Sequence, residues 1–155
     1  TFNIPIVSLV DEPGFLIGPD AEKAGTILHG TEAVLATTES TVPWTTVMIR
    51  KSFGVAAAAH YGPDGYVLAW PSAESGPLPL EGGVAVAFKK EISEAEDPEA
   101  KRKELEEKMA KNQNPFPRAE AFSVHEIIDP RETRKYISLW AERIQSQLKA
   151  SLMSR

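Results

Sequence analysis

The chemistry this chain can offer is concentrated where a strand-like stretch, Val47-Met48-Ile49-Arg50-Lys51-Ser52-Phe53, passes through Gly54 into Val55-Ala56-Ala57-Ala58-Ala59-His60. A helix starting at Val55 or Ala56 has first amide donors without intrahelical partners, and its dipole favours negative charge. A developing oxyanion fits there. A second glycine junction, Pro13-Gly14-Phe15, follows another apolar run. Two such NH donors at the same end of a parallel sheet could form an oxyanion hole. The same small residues also suit a helix packed tightly against a sheet, and the local sequence leaves both readings open.

Side chains offer less. Ser52 stands near His60, but Lys51-Ser52-Phe53-Gly54 is not the Gly-x-Ser-x-Gly elbow of a nucleophilic serine. His60 and His29 read as helix-end residues satisfied by local hydrogen bonds, and the adjacent carboxylates Asp11 and Glu12 as partners of turn amides. Neither Gly-x-x-x-x-Gly-Lys-Ser/Thr nor Gly-x-Gly-x-x-Gly occurs, so nucleotide hydrolysis and dinucleotide binding lose support. The chain has no cysteine, and its 3 histidines, at 29, 60 and 125, lack metal-ligand spacing. No metal is expected.

The elements that must position these residues follow from the pattern. Ile4 to Val10 is almost continuously apolar and β-branched, as in a strand buried on both faces, and it ends in the turn Asp11-Glu12-Pro13-Gly14-Phe15. Asp20 is placed to cap a helix carrying Ala24, Ile27, Leu28, Val34 and Leu35. A second buried strand, Thr45 to Gly54, completes a β-α-β unit, whose strand pair is expected to be parallel. Gly65 to Pro71 supplies a third strand, and Ser75 to Gly83 reads as a loop because Pro77 and Pro79 disfavour a central strand. Val84 to Ile92 predicts a helix, and Asp97-Pro98 caps and opens another. Its Glu99/Lys103, Glu104/Lys108 and Glu107/Lys111 pairs suggest a solvated face. Phe116 to Phe122 reads as a connection. Asp129 caps a last helix, with Pro130 at its first position, Glu132 at the third and a stripe of Ile137, Trp140, Ile144 and Leu148.

With 155 residues, 42% hydrophobic and 25% charged, the composition is that of one soluble globular domain. The net charge of -5 and the absence of a basic run argue against nucleic acid and membrane surfaces as partners. No apolar stretch reaches the roughly 18 residues of a spanning helix, and the first residues show no signal pattern. Thr1-Phe2-Asn3 runs directly into the apolar stretch, as expected for a piece that begins inside a structural unit.

Taken in order, Asp11-Glu12-Pro13-Gly14-Phe15-Leu16-Ile17-Gly18 and Glu22-Lys23-Ala24-Gly25-Thr26-Ile27-Leu28-His29-Gly30 resemble the carboxyltransferase β subunits of biotin-dependent acyl-CoA carboxylases. The likeness continues through Val42-Pro43-Trp44 to Gly54, Ala69-Trp70-Pro71-Ser72-Ala73-Glu74, Asn114-Pro115-Phe116 and Ile128-Asp129-Pro130-Arg131-Glu132-Thr133-Arg134. The propionyl-CoA and methylcrotonyl-CoA carboxylase types are the nearest in kind. The resemblance implies an α/β, crotonase (ClpP)-like fold of stacked β-β-α units with a carboxyl-terminal helical segment. Residues 1–155 would be most of the carboxyl-terminal, biotin-side domain, with the amino-terminal acyl-CoA-binding domain outside this chain. The lack of a basic cluster for CoA phosphates agrees with that division.

The resemblance further implies carboxyl transfer from carboxybiotin, presented on a carrier protein, to the α carbon of an acyl-CoA. Carbon dioxide leaves the biotin, whose enolate oxygen is held by backbone NH groups; biotin then takes the substrate's α proton and the carbanion captures the carbon dioxide. Matching the motif assigns the oxyanion NH groups to Val55 and Ala56, with Phe15 a second candidate donor. Gly14 and Gly54 would shape the turns, and Ala58 matches a position linked to acyl-chain selection. The implied partners are a biotin carboxylase, a biotin carboxyl carrier component and further copies of the subunit in a hexamer. The implied location is the bacterial cytoplasm, or the mitochondrial matrix in a eukaryote. Two departures stand out: Pro77-Leu78-Pro79 replaces a glycine-containing Val-Met-Gly stretch, and Gly54-Val55 replaces a Gly-Gly pair. A biotin-dependent decarboxylase subunit, and a non-catalytic crotonase-like assembly or binding domain, remain alternatives.

Overall fold

The structure, a computed structural model, describes residues 4–153, so the expectation about Thr1-Phe2-Asn3 lies outside the described residues. Its frame is a parallel sheet. Strand β1 (Ile6–Glu12) pairs with β2 (Trp44–Phe53), Ile6 opposite Trp44 and Glu12 opposite Ser52, with a bulge between Val10 and Glu12. On the other flank of β2, β3 (Tyr66–Ala69) lies opposite Thr45–Met48 and β4 (Glu74–Gly76) opposite Lys51–Phe53. Short β5 (Glu126–Ile127) joins beyond β3. The helices are α1 (Pro19–Lys23), α2 (Thr26–Thr38), α3 (Gly54–Ala58), α4 (Leu80–Ala87), α5 (Lys89–Ser93), α6 (Pro98–Ala110), α7 (Pro115–Glu120) and α8 (Thr133–Met153).

The alternation of β2 explains why both sheet faces are covered. Val47 and Leu68 point one way, onto Ile128 and, on α8, Tyr136 and Ile137. Met48, Val67 and Ala69 point the other way, onto Ala73, Val124, Tyr61 and, on α7, Ala119. Phe53, Met48, Leu68, Val10 and Val47 are fully buried, each contributing about 1.5–3 kcal/mol by leaving water. That core makes the carboxyl end of β2 a rigid mount for the turn into α3.

Several expectations need correction. β1 is an edge strand rather than one buried on both faces, with Val7 42% and Leu9 56% exposed. Its apolar run is the same whether or not this chain supplies the cover. Asp20 caps nothing: it lies inside α1, whose cap is Gly18 at φ 111°, and α2 starts from Gly25 in the left-handed region. The single helix expected over Val84 to Ile92 breaks at Phe88 (φ -114°, ψ 23°) into α4 and α5. Phe116 to Phe122 is mostly helical, because Asn114 caps α7 by accepting from the Phe116 NH. The Ser75 to Gly83 stretch, expected as a loop, opens in β4, which stops at Gly76 just before Pro77, and closes in the first turn of α4, which starts at Leu80 rather than Val84. Asp97 caps α6 as expected, its carboxylate accepting from the Glu99 and Ala100 NH groups. Asp129 caps a 3-10 turn, and Glu132 bonds Lys135 rather than completing a capping box. On α6 the ion pairs formed are Lys101–Glu104 and Arg102–Glu106.

Candidate functional site

Phe53 ends β2 in extended geometry and Gly54, at φ 65°, turns the chain at once into α3. A side chain at Gly54 would be strained by that φ and would meet the Pro77 carbonyl oxygen at 3.4 Å. The Phe53 side chain makes no cap bond, and the NH groups of Gly54, Val55 and Ala56 precede the first intrahelical acceptor. Ala56 is 3% and Ala57 5% exposed, packed against the sheet, while Val55 is 67% exposed. Tight packing at Ala56 and Ala57 and an exposed Val55 therefore coexist in one segment. Ala58 is exposed.

The far end of α3 is pinned. Thr37 Oγ1 on α2 donates to the Ala59 carbonyl at 3.0 Å. Thr46 Oγ1 and Trp44 Nε1, both on β2, donate to the His60 carbonyl at 2.8 and 3.0 Å.

The second junction lies beside the first, because Glu12 and Ser52 are opposite each other in adjacent parallel strands. The Gly14 NH donates to Glu12 Oε1 at 2.9 Å, with Gly14 at φ 121°. That NH is thus engaged by the protein, whereas the Phe15 NH has no partner among the described residues. The Phe15 ring sits on Gly30 of α2, where a β carbon would lie 2.1 Å from Phe15 Cζ. Gly30 leaves the space in which Phe15 is seated.

Among the side chains, His29 pairs locally with Glu32 at 3.2 Å, as expected. His60 does not stay local: its Nδ1 meets Ser8 Oγ at 3.2 Å and its Nε2 faces Glu12 Oε2 at 4.0 Å. Ser52 is buried and bonds the Tyr61 hydroxyl at 2.7 Å rather than His60. Burial pushes the Tyr61 hydroxyl's pKa up. Glu12 takes a turn amide as expected, but Asp11 reaches across to β2, accepting from Arg50 Nε at 3.0 Å and from the Lys51 NH at 3.2 Å. The Arg50 guanidinium holds the Asp11 carboxyl below the usual carboxylate range. Ser8 and Thr37 carry no signal of their own in the sequence. Only their partners, distant along the chain, mark them.

A split parallel sheet with NH-bearing turns past two neighbouring strand ends defines the class, and residues 1–153 match the carboxyl transferase domain: the chain belongs to that family. It is 39% identical over 155 residues to the carboxyltransferase subunit of propionyl-CoA carboxylase from Haloferax mediterranei, covering 97% of this chain and 30% of the relative. It is 40% identical over 141 residues to methylmalonyl-CoA decarboxylase subunit alpha from Propionigenium modestum, covering 88% and 27%. Among solved structures, a transcarboxylase 12S hexamer with methylmalonyl-coenzyme A and methylmalonic acid bound superposes with a TM-score of 0.81. There the identity is 42%, over 94% of this chain and 29% of that one. The fold is crotonase-like, as the resemblance implied. The chain spans under a third of the length of these relatives.

Proposed function

We propose that this chain is the biotin-side domain of a carboxyltransferase subunit, transferring a carboxyl group between carboxybiotin and the α carbon of an acyl-CoA. The observation that carries the reading is the pairing of two NH-bearing turns at adjacent strand ends: Gly54-Val55-Ala56 after β2 and Gly14-Phe15 after β1. Biotin, when present, supplies the carboxyl group and a ureido oxygen that gains negative charge as the group departs. The NH groups of Val55 and Ala56 suit that oxygen, and the free Phe15 NH is a further donor. A preorganised backbone donor of this kind is worth about 10²–10³ in rate. No side-chain nucleophile is required, which agrees with Ser52 being buried against Tyr61.

The departures bear on this differently. Val55 in place of glycine keeps its NH and turns its side chain outward. The Pro77-Leu78-Pro79 segment lies close to the Gly54 turn, where a β carbon would come within 3.4 Å of the Pro77 carbonyl oxygen. The missing acyl-CoA half would come from an amino-terminal domain and from another copy in a hexamer, as the 12S relative's hexamer suggests. Exposed Leu16, Ile17, Ile27, Leu28 and Leu35 offer apolar surface for such neighbours. Propionyl-CoA is the first substrate to try, on the relatives' activities, and a decarboxylase subunit running the transfer in reverse is the second reading, favoured by the Propionigenium relative. Incubating the full-length subunit with carboxylated carrier protein and propionyl-CoA tests the proposal: labelled carboxyl should appear on the thioester. No transfer to any of a panel of acyl-CoAs, in either direction, would leave a non-catalytic domain.

A further inference from the structure

Resting on that reading of the two turns, we propose that Glu12 is the positioning residue of the site: it fixes the Gly14 NH and, through His60 and Ser8, locks the 13–15 turn to the end of α3. The β1–β2 pairing brings the two turns side by side, and the contacts of Glu12, His60 and Ser8 then tie the 13–15 turn to the residues just past α3.

The geometry supports a brace rather than a simple turn cap. One carboxylate oxygen of Glu12 accepts from Gly14 at 2.9 Å while the other faces His60 Nε2 at 4.0 Å. The opposite ring nitrogen meets Ser8 Oγ at 3.2 Å. Ser8 and Glu12 lie four residues apart on one strand, so both edges of a single imidazole rest on β1. His60 is itself held through its carbonyl by Thr46 and Trp44 of β2. A glycine at φ 121° fixes little by its own stereochemistry. Without Glu12, Gly14 becomes a hinge between β1 and the Phe15 ring seated on Gly30, and the Phe15 NH loses its aim. Misplacing a reacting group by about 1 Å can cost about 10²-fold.

The experiment uses the full-length subunit with carboxylated carrier protein and propionyl-CoA, reading kcat and KM for the wild type, Glu12→Met, Glu12→Gln and Ser8→Ala. Glu12→Met keeps the apolar stem and removes the acceptor, and is expected to lower kcat about 10- to 100-fold with KM for the acyl-CoA within about twofold. Glu12→Gln retains an oxygen that accepts from Gly14 and should recover most of the loss. Ser8→Ala removes only the outer end of the brace and should lower kcat several-fold, which keeps the test available if Glu12→Met does not fold. Wild-type kcat in Glu12→Met or Ser8→Ala, or a Glu12→Gln as impaired as Glu12→Met, overturns the proposal. A wild type without transfer contradicts the functional reading instead.

Discussion

At the scale of the residue, the site rests on backbone geometry, with the Glu12 side chain proposed to position one of its two turns. Gly54 at φ 65° turns the chain directly from β2 into α3. Alanine there costs about 1–2 kcal/mol from the left-handed conformation alone. Gly54→Ala is therefore expected to lower the urea midpoint and to impair transfer together; an unchanged midpoint would contradict the strain argument. Such a junction is legible from the residues, since a glycine between a β-branched run and small residues predicts both a turn and a close approach. What the residues alone leave open is whether the small side chains serve packing or an anion. Ala56 and Ala57 pack while the Val55 side chain is exposed, so the segment does serve packing, and the anion role rests on the second turn at the adjacent strand end together with the ordered neighbouring motifs. The partners of His60 were not legible, because Ser8 lies 52 residues away and pairing across a sheet leaves no local trace.

At the scale of the element, the parallel β1–β2 pair and the capped α6 follow from pattern, whereas burial does not. A continuous apolar run predicted a strand covered on both faces, yet β1 is an edge with Val7 and Leu9 half-exposed. The run encodes a need for cover and says nothing of which molecule supplies it. Helix limits were missed at Gly25, which splits the helix expected from Asp20 to Leu35, and at Phe88, where no Pro or Gly marks the break. The packing of α2 against the 13–15 turn yields a sharper expectation. Gly30→Ala places a methyl 2.1 Å from Phe15 Cζ, and such overpacking typically costs about 1–3 kcal/mol. A lower melting temperature is expected, with a fall in transfer larger than that of a control alanine at exposed Lys103 of α6; a variant that melts and turns over like wild type would separate Phe15 from the site.

At the scale of the whole molecule, charge and completeness matter most. The Asp11–Arg50 pair joins β1 to β2, and Asp11 has a folded pKa below its unfolded one. Its contribution is therefore present above the unfolded value and lost as pH falls through the folded value. Because the pair is exposed, the effect is small. Asp11→Asn should lower the urea midpoint slightly near neutral pH, and the gap from wild type should close in acid; a gap that persists below the folded value would contradict the pairing. On the proposed function the 155-residue chain by itself carries only the biotin side of the site, so it is expected to show no turnover, and measurable transfer by it would refute that proposal. The most direct test of the central claim compares the full-length subunit with its Ala56→Pro variant in carboxyl transfer from the carboxylated carrier to propionyl-CoA, with melting temperatures confirming that both are folded. Removing that one NH should lower kcat about 10²–10³-fold, whereas kcat equal to wild type in a folded variant would show that the start of α3 does not hold the biotin oxygen.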